Sequence, residues 1–196
     1  EIKDLFYSQS KVWSLLSKIN KSKKIGSTYL FSGPEGSGKE AIAIKFAQLI
    51  NCENQLEFPC NNCGSCKRFG LLQHENLNII LPLPTPKKSN NPKNFMDSKV
   101  AEIYSNEISY KAEDLFYKIK IPKANRILIQ SVRNLRSNIY LKSQPLGRKI
   151  IIFFDAHFLS RGQGESGNSL LKLLEEPPNG TTFILITDKS SSLLPT

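Results

Sequence analysis

The sequence contains no long apolar run and has cysteine in one short segment only. Without about 18 consecutive apolar residues it offers no transmembrane helix, and its first ten residues, EIKDLFYSQS, lack the basic-then-apolar order of a signal peptide. All four cysteines fall between positions 52 and 66, whereas the disulfide framework of a small secreted protein distributes cysteine along the chain. We therefore expect a cytosolic protein that does not contact a membrane.

Length and charge set the next limits. A chain of 196 residues suits one α/β domain that carries a small inserted module, and its abrupt ends suggest a portion of a longer protein. The net charge is +10, and Lys and Arg are spread along the chain rather than held in one tail. Such a surface attracts polyanions, among which nucleic acid is the commonest in a cell. Charge alone favours nucleic-acid binding and an ordinary basic surface equally.

Apolar strand-like segments alternate with helical patterns along most of the chain. Strands are predicted at Thr28–Ser32, at Leu77–Leu81 and in the apolar runs RKIIIFFDAH and TTFILITD. Helices are predicted in KVWSLLSKINKSKK (Val12, Leu15, Leu16 and Ile19 at helical spacing), EAIAIKFAQLINC, ANRILIQSVRNLRSNIYLKS and GNSLLKLLEEPPNG. This alternation predicts an α/β fold with a parallel sheet flanked by helices, whose ligand site lies at the carboxyl ends of the strands.

Residues 82–125 break this pattern, and we interpret them as a low-complexity, irregular insertion of unknown role. The run PTPKKSNNPKNFMDSK is rich in Pro, Asn, Ser and Lys, a composition that predicts a mobile loop. The following run, VAEIYSNEISYKAEDLFYKI, is expected to be partly helical.

A glycine-rich loop follows the first predicted strand and precedes a helix. The stretch GPEGSGKE, residues 33–40, has the G-x-x-x-x-G-K spacing of a phosphate-binding loop, in which glycines let backbone N–H groups point at phosphates. Such loops continue with Ser or Thr, whose hydroxyl ligates magnesium, but Glu40 takes that place here. Lys39 is expected to reach the outer phosphates. The predicted residues of this degenerate nucleotide-binding loop are Gly33, Gly36, Ser37, Gly38, Lys39 and Glu40.

ATP hydrolysis also needs an Asp that holds magnesium at the end of a neighbouring strand and an adjacent acid that orients water. Asp155 is the candidate for one of these two acids, but its neighbours are Phe154 and Ala156. The second acid is therefore missing, whether Asp155 takes the place of the magnesium-holding Asp or of the acid that orients water. Together with Glu40, this predicts no appreciable ATP hydrolysis. Binding of ATP and magnesium stays open.

The four cysteines, Cys52, Cys60, Cys63 and Cys66, have the spacing C-x7-C-x2-C-x2-C. Four thiolates suit tetrahedral zinc, and such a closed site is structural rather than catalytic. Residues 51–70 are therefore predicted to form a zinc-binding module, with four unbound cysteines as the alternative. Because the cysteines complete the ligand shell, His74 is interpreted as a surface or capping residue.

Taken in order, these features resemble the bacterial DNA polymerase III clamp-loader subunits, the gamma/tau and delta-prime group of AAA+ proteins. The matching stretches are YLFSGPEGSGKEAIA, the four-cysteine insertion, GRKIIIFFDAHFLS and NSLLKLLEEPPNGTTFILIT, within which LLKLLEEPP is the most specific. The resemblance covers about residues 1–81 and 126–196. It implies that residues 1–196 are an AAA+ core domain, the amino-terminal portion of a longer subunit.

Within that group the sequence is more similar to delta-prime, because gamma/tau motors keep a hydroxyl after the loop lysine and an Asp-Glu pair on the strand. The resemblance implies a subunit without ATPase activity that completes a ring with gamma/tau and delta subunits, and the ring loads the sliding clamp onto primed DNA. The basic surface is consistent with facing that DNA. The family's arginine finger, in a Ser-Arg-Cys motif, would be expected beyond SSSLLPT, and the lid and collar regions likewise lie outside this sequence.

By the same resemblance, Thr187 matches the sensor position that reads the γ-phosphate in motor subunits, although the end of a strand explains it as well. The four leucines of LLKLLEEPP are expected in the core. Its two glutamates are either a solvated helix end or part of a subunit contact.

Three other functions are compatible with the residues. The first is an active gamma/tau-like ATPase that tolerates Glu40. The second is a zinc-containing P-loop nucleotide kinase, although LLKLLEEPP and the early position of the cysteines speak against it. The third is a plain nucleic-acid-binding zinc protein, for which the glycine loop would have no purpose.

Overall fold

The chain folds around a parallel sheet, with helices before, between and after its strands. A computed structural model describes residues 2–54, 56–86, 96–140, 147–162 and 164–193. Within these ranges the helices are α1 (Ile2–Ser8), α2 (Ser10–Lys21), α3 (Lys39–Ile50), α4 (Gly64–Gly70), α5 (Ser98–Glu113), α6 (Ile129–Ile139) and α7 (Glu165–Glu175). The strands are β1 (Thr28–Ser32), β2 (Leu77–Ile80), β3 (Lys149–Phe153) and β4 (Thr181–Thr187), and 3-10 turns cover Ala156–Ser160 and Ser190–Ser192.

The four strands pair in the order β1-β4-β3-β2, and all run parallel. Ile152 of β3, for example, is in register with Ile184 of β4 and with Ile79 of β2. Because parallel strands end at the same edge, the residues that follow β1, β3 and β4 meet there. The predicted parallel α/β sheet is confirmed, and β2 ends one residue earlier than expected.

Helices cover both faces of this sheet. Side chains of a strand alternate between its faces. Accordingly Ile150 and Ile152 belong to a buried cluster with α2 and α3, whereas Ile151 and Phe153 belong to a second cluster with α6 and α7. Full burial of each such side chain contributes roughly 1.5–3 kcal/mol. Burial on two sides explains why β3 reads as a continuous apolar run.

The two amino-terminal helices pack on the first of these clusters. The predicted helix is present as α2, but its buried face carries Trp13 and Leu16. Val12 and Leu15, which the pattern placed on the apolar face, are 42% and 59% exposed. The buried face of α2 differs from the predicted one because the indole of Trp13 offers more apolar area to bury than the side chain of Val12 or Leu15. Helix α1, which the pattern did not predict, adds Leu5 to the core.

Residues 96–121 bring a further helix against the sheet. Asp97 caps α5 by accepting a hydrogen bond from the backbone N–H of Val100 at 2.8 Å. The Tyr104 hydroxyl donates to the carbonyl oxygen of Ile79 at 2.8 Å, which attaches α5 to β2. The expectation of partial helix in this segment is confirmed.

The predicted mobile loop falls largely on residues 87–95, which lie outside the described residues. The division of the chain into a core with insertions at 51–70 and 82–125 stays a prediction. Among the helices that the structure describes, none is both long and apolar enough to cross a bilayer.

Gly147 precedes β3 in a backbone conformation that favours glycine. Its φ is +115°, and a Cβ there would lie 2.5 Å from Asn51 Oδ1 and 2.7 Å from Asn76 Nδ2. Asn51 Oδ1 accepts a hydrogen bond from Arg148 N at 2.8 Å, which fixes the start of β3 beside the end of α3. We predict that Gly147→Ala lowers the free energy of unfolding by about 2–4 kcal/mol, measured by urea denaturation.

Gly180→Ala is the matched control for this measurement. Gly180 has a φ of +71°, but no atom of the described residues lies within 4 Å of the added Cβ, so it tests backbone strain without the clash. We expect it to cost only about 1 kcal/mol. Equal losses in the two variants would show that the contact with Asn51 and Asn76 is unimportant.

Candidate functional site

The glycine-rich loop lies at the carboxyl edge of the sheet, between β1 and α3. Gly36 and Gly38 both have a φ of +76°, which favours glycine. A Cβ on Gly38 would lie 2.9 Å from the Cδ1 of Leu5 and 3.7 Å from Phe116. The loop is therefore covered by α1 on one side and by the segment after α5 on the other.

The loop makes hydrogen bonds within the protein at several of its predicted phosphate-binding positions. The N–H of Gly33 donates to the carbonyl oxygen of Thr187 at 3.3 Å. The carbonyl oxygen of Ser37 accepts a hydrogen bond from the Gln9 side chain at 2.8 Å. The Ser37 hydroxyl is buried and has no hydrogen-bond partner among the described residues. The ammonium of Lys39, predicted to reach outward to phosphates, donates to the carbonyl oxygen of Pro34 at 3.0 Å.

Glu40, which stands where a hydroxyl is usual, accepts hydrogen bonds from two lysines. Its carboxylate oxygens lie 2.6 Å from Lys111 Nζ and 2.9 Å from Lys118 Nζ, and its side chain is 12% exposed. The Lys111 side chain is fully buried and also donates to the carbonyl oxygen of Tyr117 at 2.6 Å. Its ammonium lies 5.8 Å from the ring centroid of Phe154. Both lysines come from the segment interpreted as an insertion.

Lys118 also binds the acid at the end of β3. Its ammonium lies 2.8 Å from Asp155 Oδ1, so one nitrogen bridges Asp155 and Glu40. Asp155 adopts a φ of +47°, a conformation that Asp tolerates better than most residues and that occurs often at functional sites. The chain thus joins the start of α3, the segment after α5 and the end of β3 through one ion-pair network.

The pKa values of these groups follow from burial and from their partners. Burial alone would raise the pKa of Glu40, but the ammonium groups of Lys111 and Lys118 outweigh it and the pKa is lowered. Burial lowers the pKa of Lys111, and Glu40 offsets this only in part. For Lys118 burial is outweighed by Asp155 and Glu40, which raise its pKa above the ordinary value. Glu40 and Lys118 are therefore held in their charged forms at neutral pH.

Thr187, the predicted sensor-like residue, ends β4 at the centre of this edge. It is fully buried, and its hydroxyl contacts His157 Nδ1 at 3.1 Å and accepts from Lys189 N at 3.0 Å. Burial lowers the pKa of His157, opposed by the charges of Asp155 and Asp188. Asp155, His157 and Asp188 each offer one ligand atom within 4.8 Å of the others. This grouping was not predicted from the sequence.

A cavity of about 280 Å³ remains beside the loop. Its lining includes Gly36, Gly38, Lys39, Lys111, Phe116 and Lys118. The only loop cation in this lining, Lys39, is bonded to a carbonyl oxygen, and both other lysines are paired with carboxylates. The charges of Lys111 and Lys118 are thus compensated, whereas Lys39 keeps its charge, because a hydrogen bond to a carbonyl oxygen does not neutralise an ammonium.

The four cysteines form a second cluster, beyond the other end of α3. All four Sγ atoms lie within 4.8 Å of one another, and those of Cys60 and Cys66 are 3.8 Å apart. Cys60 Sγ accepts from Cys63 N and Cys63 Sγ from Cys66 N, both at 3.3 Å, and Cys63 caps α4. Hydrogen bonds from backbone N–H groups of Cys63 and Asn62 lower the pKa of Cys60 to about 6, and burial raises that of Cys52. The predicted group is thus assembled in a way that can bind a metal ion.

His74 is not on the surface, which excludes the first of the two roles expected from sequence, a surface or a capping residue. It is buried, its Nε2 contacts the Ser65 hydroxyl at 3.0 Å, and its Nδ1 accepts from Asn76 N at 3.0 Å. Its ring stacks on Phe69 with centroids 4.3 Å apart. The His74 ring accepts a hydrogen bond from the backbone N–H of Asn76 and contacts the Ser65 hydroxyl of α4. These partners satisfy both ring nitrogens inside the protein, which explains why His74 is buried.

Comparison with known proteins identifies the family of this chain. A family model described as "DNA polymerase III, delta subunit" matches residues 8–196. The chain belongs to this family. It is 28% identical over 166 residues to DNA polymerase III subunit tau of Bacillus subtilis, covering 84% of this chain and 22% of that protein. It is 28% identical over 186 residues to subunit tau/gamma of Haemophilus influenzae (94% and 21%) and 27% identical over 194 residues to subunit delta' of Bacillus subtilis (99% and 46%).

These matches identify a DNA polymerase III clamp-loader-type amino-terminal region, as the sequence resemblance implied. The chain spans less than half the length of these curated relatives. Relatives named tau and delta' match at nearly equal identity, so the family assignment is common to both kinds of subunit.

In this DNA polymerase III family member, the sequence pattern did not predict the contribution of Lys111 and Lys118 to the site. Both lie in a stretch without strong periodicity, 71 and 78 residues from Glu40, and no local pattern connects them. One signal was available. A glutamate beside a phosphate-binding loop needs a cation, and lysines of the irregular segment were candidates to supply it.

Glu40→Gln removes the anion that neutralises a fully buried ammonium. We predict a loss of about 3 kcal/mol in the free energy of unfolding at pH 7, because Lys111 keeps its burial and loses its counter-charge. Since the pKa of Glu40 is lowered in the folded state, its contribution is fully present above the ordinary value of 4.5. It is lost as the pH falls through the lower folded-state value. Urea denaturation at pH 7 and in acid measures both effects.

Glu102→Gln is the control, because Glu102 is an exposed residue of α5. It should leave stability within about 0.5 kcal/mol of the unchanged protein at every pH. A Glu40→Gln protein that is equally destabilised at pH 7 and in acid would contradict the assignment of the loss to an ion pair.

Proposed function

We propose that this chain is the amino-terminal AAA+ region of a delta-prime-like clamp-loader subunit, which completes the loader ring without hydrolysing ATP. The observation that carries the proposal is that lysines neutralise both carboxylates beside the glycine loop, Glu40 and Asp155. In a working site of this type, the groups at these positions serve the magnesium ion bound to the phosphates.

The surroundings of Asp155 support the same conclusion. Phe154 on one side is buried in the core, and Ala156 on the other is buried and has no functional group. Neither neighbour supplies the adjacent acid that orients an attacking water. Turnover would therefore lack both a free metal ligand and a group to position water.

A gamma/tau-like ATPase is the second candidate. It is favoured by the match to relatives named tau, which are as similar to this chain as the relative named delta'. The two candidates differ in one measurable property, which is magnesium-dependent hydrolysis of ATP.

The test is a titration of zinc-loaded protein with ATP, with and without magnesium, followed by a hydrolysis assay on the same sample. We expect no turnover above background and no strengthening of ATP binding by magnesium. Turnover that Lys39→Ala abolishes would replace this proposal with the gamma/tau candidate. Turnover that persists in Lys39→Ala comes from a contaminant, because a glycine loop without its lysine cannot hold the outer phosphates.

An isolated motor subunit can also be silent when its neighbour is missing, so the assay is repeated in an assembled loader. Lys39→Ala is introduced into the full-length subunit, which is mixed with tau-type and delta-type partners. The ATPase rate of the assembly should depend on the presence of this subunit and remain unchanged by Lys39→Ala. A fall in the rate with Lys39→Ala would mean that this chain hydrolyses ATP.

We also propose that the cysteine cluster holds one structural zinc ion. In a tetrahedral site with Zn–S bonds near 2.3 Å the sulfur atoms are about 3.8 Å apart, and Cys60 and Cys66 have that separation. Four thiolates fill all positions of such a site, so no position stays open for catalysis. The N–H groups that donate to Cys60 and Cys63 stabilise thiolate charge in the manner of an outer ligand shell.

Metal analysis should find close to one zinc per chain, and removal of zinc by a chelator should lower the melting temperature. Cys66→Ser should lose the metal, because Cys66 is one of the four clustered thiols and is buried. Lys67→Ser places the same residue at the exposed neighbouring position and should keep it. A fully folded protein without metal, equally stable before and after chelation, would contradict the proposal.

In the proposed assembly the chain contacts gamma/tau and delta subunits in the cytoplasm and acts on the sliding clamp and primed DNA through the ring. The net charge of +10 supports a surface that faces DNA, since lysines and arginines that neutralise phosphates release counterions.

A further inference from the structure

The position of Lys118 coincides with the place where a glycine-loop site holds its metal ion. In such sites magnesium lies between the residue after the loop lysine and an acid at the end of a neighbouring strand. Here those two residues are Glu40 and Asp155, and Lys118 Nζ lies 2.9 Å from the first and 2.8 Å from the second. A single ammonium thus occupies the space between the two ligand positions.

The residues present do not fit a magnesium ion in addition to this ammonium. Magnesium requires near-octahedral oxygen ligands at about 2.0–2.1 Å and keeps several waters. The carboxylate oxygens that face the ion position already accept hydrogen bonds from Lys118, and the other Glu40 oxygen accepts from Lys111. A divalent cation would have to displace Lys118 and would be repelled by its charge.

We propose that Lys118 is a built-in cation that replaces magnesium at this edge of the sheet and excludes divalent cations from it. This inference rests on the proposed absence of ATP turnover. It assigns a function to the segment of unknown role: α5 and the residues that follow it supply the positive charge that another protein of this type takes from solution. The loop helix α3 and the end of β3 are thereby held together without a nucleotide.

The charge balance explains why Lys118, rather than Lys111, has this role. Lys111 is fully buried and contacts Glu40 but not Asp155, whereas Lys118 contacts both and is 31% exposed. Removal of Lys118 leaves Glu40 neutralised by Lys111 and leaves Asp155 without an ammonium partner among the described residues. Asp155 then has His157 and Asp188 as further ligands within 4.8 Å. Because Lys118 reaches the surface, an ion can enter the vacated position from solution.

The test is a titration of zinc-loaded protein with Mn²⁺, followed by electron paramagnetic resonance in the absence of nucleotide. Zinc keeps the cysteine cluster filled, so that manganese reports on other sites. Lys118→Met should bind one Mn²⁺ about tenfold or more tightly than the unchanged protein, because the site gains net negative charge. Magnesium should compete for this site, and the double variant Lys118→Met/Asp155→Asn should lose it.

Lys120→Ala is the matched control, because Lys120 is an exposed lysine two positions away whose side chain does not enter the network. It should bind manganese as weakly as the unchanged protein. Equal gains in Lys120→Ala and Lys118→Met would attribute the effect to net charge alone and overturn the proposal. A folded Lys118→Met protein that gains no manganese site would also overturn the proposal.

A second comparison keeps the proposal testable if Lys118→Met does not fold. In the unchanged protein, Asp155→Asn should leave manganese affinity the same, because Asp155 is occupied by Lys118. A magnesium-competed site that Asp155→Asn abolishes would show that Lys118 does not exclude metal. These experiments use no ATP, so their failure is distinct from failure of the proposed function, which the hydrolysis assay measures.

Discussion

The four strands in the described part of the chain point in one direction, and this shared direction determines where the charged groups of the site meet. The loop after β1, Asp155 after β3 and Thr187 at the end of β4 lie together because parallel strands end at the same edge. β4 lies between β1 and β3, and the carbonyl oxygen of Thr187 accepts the N–H of Gly33 in the loop. Helix α3 starts at this edge and adds the positive end of its dipole. The topology therefore brings the positive end of α3 and the acid after β3 to the same edge of the sheet.

Two charged residues at this edge, Glu40 and Lys111, explain each other. Glu40 alone would repel a triphosphate, and Lys111 alone would be a fully buried ammonium without a counter-charge, which is costly. Together they form a pair that also gains from the position of Glu40 in the first turn of α3, where a carboxylate is favourable. Lys118 then pairs with Asp155 at the end of β3 as well as with Glu40. The glutamate in place of a metal-binding hydroxyl and the lysines of α5 and the segment after it are therefore parts of one ion-pair network.

The sequence predicted the features that depend on local pattern. The strands, the helices with clear apolar spacing, the glycine loop and the cysteine cluster all lie where their periodicity or spacing placed them. Features that depend on distant partners were not predicted: the ion pairs of Lys118 join residues 78 and 37 positions apart. The buried face of α2 was also misjudged, because Trp13 competes for the core with residues of the same helix. His74 was misplaced for a similar reason, since its partner Ser65 lies on another element.

Helix α3 is held at both ends by contacts that need no nucleotide. Its first turn is fixed by the lysines on Glu40, and near its other end Gln48 donates to the carbonyl oxygen of Cys66 at 2.8 Å. A nucleotide-driven switch requires two arrangements that the ligand binds with different affinity. Ammonium groups that belong to the chain are present with or without nucleotide, so they favour one arrangement permanently. A subunit built in this way suits the proposed role of a ring member that does not itself hydrolyse ATP.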